Sequence, residues 1–181
     1  MALTDSTRSY GTVSRVLHWT MAALMLWQFG GMILKMVLGR VPVMGFWVGT
    51  HASVGTLLLL VLMIRAGWAF TQKTQRPPYD AGALGRAAML GHYALYTLMF
   101  VIPFIALLRM AGSGKGVRLF GVQLQQPTGE EVSWMTAAGN ALHGNLAWVL
   151  LALIGGHVLM VLLHRYVWRD DVLNRMIGSR A

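Results

Sequence analysis

Four apolar stretches are the feature that most limits how this chain can fold. They cover residues 16–37, 48–70, 87–110 and 142–167, and none of them contains Asp or Glu. About 20 apolar residues in a helix match the hydrocarbon thickness of a bilayer. Backbone polar groups find no water there, so a spanning stretch satisfies them internally as a helix. The pattern predicts an all-α fold, a transmembrane four-helix up-down bundle, in one membrane domain of residues 1–181.

The composition supports an integral membrane protein. Hydrophobic residues make up 56% of the 181 and charged residues only 12%, against about 25% charged in ordinary soluble domains. Cysteine is absent, which excludes disulfides, iron–sulfur clusters and thiolate ligands. The net charge of +9 comes from basic residues between the apolar stretches. Because they form no patch interleaved with aromatic residues, we expect no nucleic-acid partner.

The distribution of basic residues predicts the orientation in the membrane. Lys and Arg accumulate on the cytoplasmic side of membrane proteins. If the four stretches alternate in direction, one side holds Arg8, Arg15, Lys73, Arg76, Arg86, Arg165, Arg169, Arg175 and Arg180. The other side holds Lys35, Arg40, Arg109, Lys115 and Arg118. We therefore expect both termini to be cytoplasmic.

The fourth stretch carries three of the six histidines, His143, His157 and His164. An ionisable ring in hydrocarbon is costly and usually marks a functional site. His143 and His157 are 14 residues apart, so they lie about 40° from each other on one helix face and about 21 Å apart along the axis. One helix thus offers two ligands on one side at opposite membrane depths, as two stacked metal centres would require.

Depth pairs these two histidines with two others. In an up-down bundle His51 lies at the level of His143, and His18 at the level of His157. Each pair joins two helices, which is how a helix bundle holds haem b between two axial histidines. A di-iron bundle would need Glu-x-x-His motifs, which are absent, and zinc sites need three or four close ligands. A histidine near the end of a span is otherwise a plain interfacial residue, an alternative that suits His157 least.

Three further residues bear on the site. Arg65 follows His51 by 14 residues, so it faces the same side at the depth of His157. With no carboxylate in any stretch, its expected partner is a haem propionate, unless the side chain extends to the interface. We interpret His92 and His164 as polar groups of a cytoplasmic substrate pocket rather than ligands.

The connections are predicted from their composition. Residues 39–49 suggest a turn, and residues 111–139 a long loop whose last part, 129–141, forms a short interfacial helix. The glycine-rich residues 112–116 do not match a phosphate-binding loop, because they follow a membrane span rather than a strand. They are interpreted as a flexible connection.

Six sequence segments together resemble the bacterial cytochrome b561 family, small four-helix membrane proteins with two haems. They are S-R-V-L-H-W at His18, T-H-A-S-V-G at His51, G-H-Y-A-L-Y at His92, L-F-G-V-Q-L, N-A-L-H-G-N-L-A-W, and G-G-H-V-L-M-V-L-L-H-R-Y-V-W-R-D-D. The resemblance covers nearly the whole chain. It implies haem ligation by His18, His51, His143 and His157, exchange of electrons with ubiquinone, and, as in at least one member, superoxide oxidation. It also implies that His92 and His164 are candidates for the quinone pocket.

The expected function is electron transfer in the bacterial inner membrane through two haem b groups. The donor would be a periplasmic one, superoxide, which Lys35, Arg40, Lys115 and Arg118 would attract; the acceptor would be ubiquinone. One alternative is a non-catalytic cytochrome b subunit that serves a separate dehydrogenase or hydrogenase. Another is a haem-free membrane scaffold, against which His157 is the main argument.

Overall fold

The computed structural model describes residues 2–39 and 41–178 of the chain. Four long helices dominate this part: α1 Thr12–Leu38, α2 Pro42–Thr71, α3 Ala83–Gly112 and α4 Ser133–Leu163. A π-helical turn, His164–Trp168, continues α4, and a short helix α5, Val172–Ile177, follows it. Each of the four long helices is long and apolar enough to cross a membrane. The predicted all-α membrane bundle is thereby confirmed.

The bundle has two ends, a terminal end and a far end. At the terminal end the N-terminal segment meets α5: the Tyr10 N–H donates to the Arg175 carbonyl at 3.2 Å, and Trp19 Nε1 donates to the Met176 carbonyl at 3.3 Å. The far end carries the α1–α2 turn and the α3–α4 connection. Arg40 and Arg180, two of the basic residues that predict the orientation, lie outside the described residues.

All four long helices begin before the apolar stretches of the sequence, and for α2 and α4 this changes the predicted connections. Helix α2 starts at Pro42 instead of after a turn over residues 39–49; proline suits a first helical position because it needs no N–H partner there. Helix α4 starts at Ser133, so the separate interfacial helix predicted over 129–141 was wrong. Gly139 lets α4 run close along α3, because an added Cβ there would lie 2.8 Å from the Ile105 carbonyl oxygen.

A small core lies midway along the bundle. Its buried residues come from all four long helices: Met21, Met25, Leu58, Leu62, Leu95, Met99, Ile102 and Leu150. Other apolar side chains face outward, including Leu26 at 76% and Phe70 at 72% exposure. Lipid tails are as apolar as these side chains, so close packing rather than water exclusion holds such helices together. The core therefore lies between the two ends of the bundle and does not extend into them.

The N-terminal segment forms a folded cap on the terminal end of the bundle. The buried Asp5 carboxylate accepts hydrogen bonds from the Gly11 N–H at 2.8 Å, Ser14 Oγ at 2.9 Å and Arg76 Nε at 3.0 Å. Its own N–H donates to Gln72 Oε1 at 3.2 Å. These bonds join the start of α1 to the end of α2.

The α3–α4 connection contains a β-hairpin that was not predicted from the sequence. Strand β1, Val117–Leu119, pairs antiparallel with β2, Val122–Gln125. Phe120 and Gly121 form its two-residue turn with positive φ of 51° and 81°, a conformation that matches the twist of paired strands. The Phe120 N–H donates to Ser53 Oγ at 2.9 Å and so attaches the hairpin to α2. Gly114 also has positive φ, packs against the Glu130 backbone, and belongs to an ordered connection rather than the flexible one expected.

Candidate functional site

Four of the six histidines lie in two pairs at opposite ends of the bundle. At the far end the ring centres of His51 on α2 and His143 on α4 are 6.1 Å apart, with the ring planes at 77°. At the terminal end the ring centres of His18 on α1 and His157 on α4 are 6.3 Å apart, with the planes at 59°. We call them the far pair and the terminal pair. The structure thus brings together the residues that depth alone had paired.

These separations fit a metal held between two imidazoles. A ligating imidazole nitrogen lies about 2.0–2.1 Å from the metal in zinc sites, which puts two opposed ring centres roughly 6 Å apart. Within residues 2–39 and 41–178 no group of three or more His, Cys, Asp or Glu side chains could hold a bare metal ion. A metal that brings its own equatorial ligands, as iron in haem does, needs only the two axial histidines.

The ring nitrogens show which atoms are available to a ligand. His143 Nδ1 lies 3.2 Å from the Ile102 carbonyl oxygen, which can only accept, so Nδ1 is the donor and Nε2 is the nitrogen left for a ligand. Ligating histidines typically donate their second N–H in this way. In contrast, Nδ1 of His18 and Nδ1 of His51 are buried without a hydrogen-bond partner in the described part of the chain. Buried polar atoms of this kind call for an explanation.

A cavity of about 330 Å³ adjoins the far pair and takes lining residues from all four long helices. His51 and His143 lie in its wall, and most of its other residues are apolar. Gly55 and Gly144 also line it, and an added Cβ at Gly144 would meet no atom within 4 Å. Arg109 contributes a cation to its lining. An apolar cleft with a few convergent polar groups is typical of a cofactor site.

His92 lies closer to the terminal pair than its assignment to a separate pocket suggested. Its ring centre is 5.3 Å from that of His157, at 83°, and 5.8 Å from that of Tyr79. Its Nδ1 donates to the Ala88 carbonyl, 2.7 Å away, four residues back in α3. His157 therefore has two neighbouring histidines, one on α1 and one on α3.

Arg65 lies at the level of the terminal pair. Its guanidinium contacts Met21 Sδ at 3.7 Å and lies 5.3 Å from the Tyr96 ring centre. No carboxylate of the described residues forms an ion pair with it. Arg65 is therefore a cation with no carboxylate partner among the described residues, at the level of the terminal pair.

His164 makes its contacts at the end of α4. Its Nδ1 lies 2.5 Å from Asp170 Oδ2, and its ring centre is 4.6 Å from that of Trp168. Burial acts to raise the pKa of Asp170, but hydrogen bonds from His164 and from the Val172 N–H outweigh it, so that pKa lies below its ordinary value. Among the described residues, His164 forms no hydrogen bond or ring contact with His92, so the two quinone-site candidates occupy separate positions at the terminal end.

Two residues of the site were missed in the sequence. Gln28 lines the cavity at the far pair and donates from Nε2 to the His51 carbonyl at 3.0 Å. An amide in the middle of an apolar stretch was the signal that pointed to it. Tyr79 lies in the connection between α2 and α3, beside a second, shallow cavity of about 320 Å³. Nothing in the local sequence distinguished it.

Comparison with known proteins gives a consistent result. A family model described as prokaryotic cytochrome b561 matches residues 9–179. The chain is 30% identical to cytochrome b561 homolog 2 of Escherichia coli (strain K12), over 100% of this chain and 97% of that protein. It is 30% identical to the probable superoxide oxidase CybB of Yersinia pestis, over 72% of this chain and 74% of that protein.

These matches confirm the resemblance found in the sequence. A cytochrome carries electrons on haem, so the family implies binding of haem b, which agrees with the paired histidines. Four apolar helices and a bacterial family indicate a multi-pass bacterial membrane protein. The chain belongs to the prokaryotic cytochrome b561 family and is a membrane electron-transfer protein.

Proposed function

We propose that this protein holds two haem b groups and passes electrons across the bacterial inner membrane from a periplasmic donor, superoxide, to ubiquinone. The observation that carries the proposal is that the far pair and the terminal pair, with ring centres 6.1 Å and 6.3 Å apart, lie at opposite ends of one bundle. A bound haem supplies a one-electron couple at its iron. His51 and His143 would hold one haem, and His18 and His157 the other.

The spacing along α4 supports transfer through the membrane. His143 and His157 are 14 residues apart, which is about 21 Å along one helix. Leu150 and the rest of the buried core lie between the two levels. The side chains there are apolar, so they exclude water between the two centres. Arg65, which pairs with no carboxylate of the described residues, would bind a propionate at the terminal pair.

The far end is assigned to the periplasm. The excess of basic residues at the terminal end supports this, since Lys and Arg accumulate on the cytoplasmic side. Superoxide is a small anion, and cations near a cleft raise its local concentration. Arg109 lines the far cavity, and Lys35, Lys115 and Arg118 lie on the same side. The name of the Yersinia relative, a probable superoxide oxidase, also supports this donor.

The terminal end is assigned to quinone reduction. Two superoxide ions lose one electron each and leave as O₂, and one quinone takes these two electrons and two protons to become the quinol. Tyr79, His92 and His157 form a continuous series of rings from the shallow cavity to the terminal pair. Burial raises the pKa of Tyr79, so its phenol stays protonated and can donate a hydrogen bond. His92 and His164 would supply the protons, His164 in contact with Asp170.

The test of this function is rapid mixing of superoxide with the oxidised, purified protein. We expect the haems to become reduced at a rate near the diffusion limit, and added ubiquinone to reoxidise them. No reduction by superoxide, in a protein whose haems respond to dithionite, would remove superoxide as the donor. Epitope tags at each terminus, probed in spheroplasts and in inverted vesicles, test the orientation independently.

One observation favours the alternative of a carrier subunit. The hairpin exposes Phe120, Val122 and Leu124 at 61%, 58% and 63%, an apolar surface at the far end that a partner redox enzyme would cover. In that case the haems would be reduced by the partner enzyme and not by superoxide, so the mixing experiment separates the two functions.

A further inference from the structure

We propose that Gln28 is the positioning residue of the far pair: when haem is bound, its Oε1 accepts a hydrogen bond from the Nδ1–H of His51. The inference rests on the proposed function, because it requires His51 to be a haem ligand. Gln28 on α1 would then control how His51 on α2 is oriented and how strongly His51 donates electrons to the iron.

Two buried polar atoms lie without partners on two residues that are already bonded to each other. Gln28 Oε1 is an acceptor and His51 Nδ1 is a nitrogen able to donate, and neither has a hydrogen bond among the described residues. Gln28 Nε2 donates to the His51 backbone carbonyl at 3.0 Å. That bond fixes which end of the amide is which, because an oxygen there would face another oxygen. Oε1 is consequently the amide atom that is left to accept a hydrogen bond.

The backbone cannot serve His51 as it serves other histidines of the bundle. His92 donates from Nδ1 to the carbonyl four residues back. The corresponding carbonyl for His51 is that of Trp47, which accepts the helical N–H and, in addition, Thr50 Oγ1 at 3.0 Å. A carbonyl oxygen has two lone pairs, so both are used. A side-chain acceptor is what remains for Nδ1 of His51.

The packing around Gln28 provides space for this amide. An added Cβ at Gly55, one turn beyond His51, would lie 2.8 Å from Gln28 Nε2. Gln28, His51 and Gly55 all line the cavity of about 330 Å³. His143, the opposite member of the far pair, already has its Nδ1 on the Ile102 carbonyl. With Gln28 in the proposed role, both far ligands would donate their second N–H and bind iron through Nε2.

The consequence is a tuned reduction potential. An imidazole becomes a stronger electron donor when the N–H of its other ring nitrogen, the one that does not bind the metal, donates to an acceptor. A stronger donor stabilises ferric over ferrous iron and lowers the potential of that haem. Losing such a partner typically changes metal affinity 10- to 100-fold. We expect a change at the lower end, about tenfold between the two oxidation states, which for one electron corresponds to about 59 mV.

The test is a spectroelectrochemical titration of the purified, haem-loaded full-length protein and its variants. Gln28→Leu should raise the potential of the far haem and leave that of the terminal haem unchanged. Gln28→Glu keeps an acceptor oxygen at the same reach, although it gives up the bond from Nε2 to the His51 carbonyl, and should not raise the far potential. Thr56→Val removes a hydroxyl from the same cavity, but that hydroxyl is bonded to the Ala52 carbonyl at 2.9 Å, so the far potential should stay at the wild-type value.

An unchanged far potential in Gln28→Leu, or an equal shift of both haems, would overturn the proposal. If Gln28→Leu loses the far haem altogether, retention in Gln28→Glu supports the proposal. Loss in both variants assigns the effect to the bond from Nε2 to the His51 carbonyl, which both lack, and refutes the role given to Oε1. His51→Ala is measured in parallel: if that variant still binds two haems, the ligand assignment itself fails. That failure is distinct from the failure of the role given to Gln28.

Discussion

Replacing histidines at the terminal end tests which ring completes the axial pair with His157. The ring centres of His18 and His157 are 6.3 Å apart, which matches the roughly 6 Å expected when two imidazoles flank one metal. Those of His92 and His157 are 5.3 Å apart, and the difference of about 1 Å is half of one metal–nitrogen bond of about 2.0–2.1 Å. We therefore expect His18→Ala and His157→Ala each to lower the haem content from two per chain to one, whereas His92→Ala keeps two.

The assay is haem content by pyridine haemochrome, divided by protein concentration, on each variant purified in mild detergent. The far haem serves as an internal control for folding, because its ligands lie about 21 Å away along α4. His164→Ala is the matched control at the same end and should keep both haems. One haem in His92→Ala together with two in His18→Ala would refute the reasoning and pair His92 with His157 instead.

Three further predictions concern the parts that hold the site in place. Asp5→Ala removes the ion-pair partner of Arg76, a carboxylate whose own side chain is fully buried. We expect the free energy of unfolding to fall by about 3–5 kcal/mol. The measurement is a fall in the thermal midpoint that exposed Glu130→Ala does not produce. Ser53→Ala removes the acceptor of the Phe120 N–H, which should cost about 0.5–1.5 kcal/mol and speed proteolysis of the connection at residues 113–132; unchanged cleavage would contradict it. The depressed pKa of Asp170 stabilises the fold above the unfolded value of about 3.9, and that contribution is lost as the pH falls through the lower folded value. In Asp170→Asn the thermal midpoint should no longer fall for this reason as the pH is lowered. A variant whose thermal midpoint depends on pH as it does in the wild type would count against the prediction.

The helices and the histidine pairs could be predicted because both follow from simple periods. Stretches of about 20 apolar residues define the spans, and 100° per residue puts His143 and His157 on one side of a single helix. In an up-down bundle, depth then leaves few partners for each. The two pairs that the structure forms, with ring centres 6.1 Å and 6.3 Å apart, are the two that membrane depth predicted.

The remaining features of the fold and the site depend on packing contacts that the periodicity of the sequence does not encode. The rotation of α3 about its axis, which brings His92 beside His157, is set by contacts with α4 such as the one at Gly139. The hairpin depends on Phe120 in a positive-φ turn, where Asn or Gly would have been the usual signal. Gln28 was visible as an amide in an apolar stretch, but only the structure shows that it bonds to residue 51.

The most direct test of the central claim is the number of haems bound by the wild-type protein. A reduced-minus-oxidised spectrum with haemochrome quantitation should show a b-type α-band and two haems per chain, with two low-spin signals in electron paramagnetic resonance from two bis-histidine sites. A protein that folds and binds one haem would contradict the assignment of one of the two histidine pairs, and a protein that binds none would contradict both.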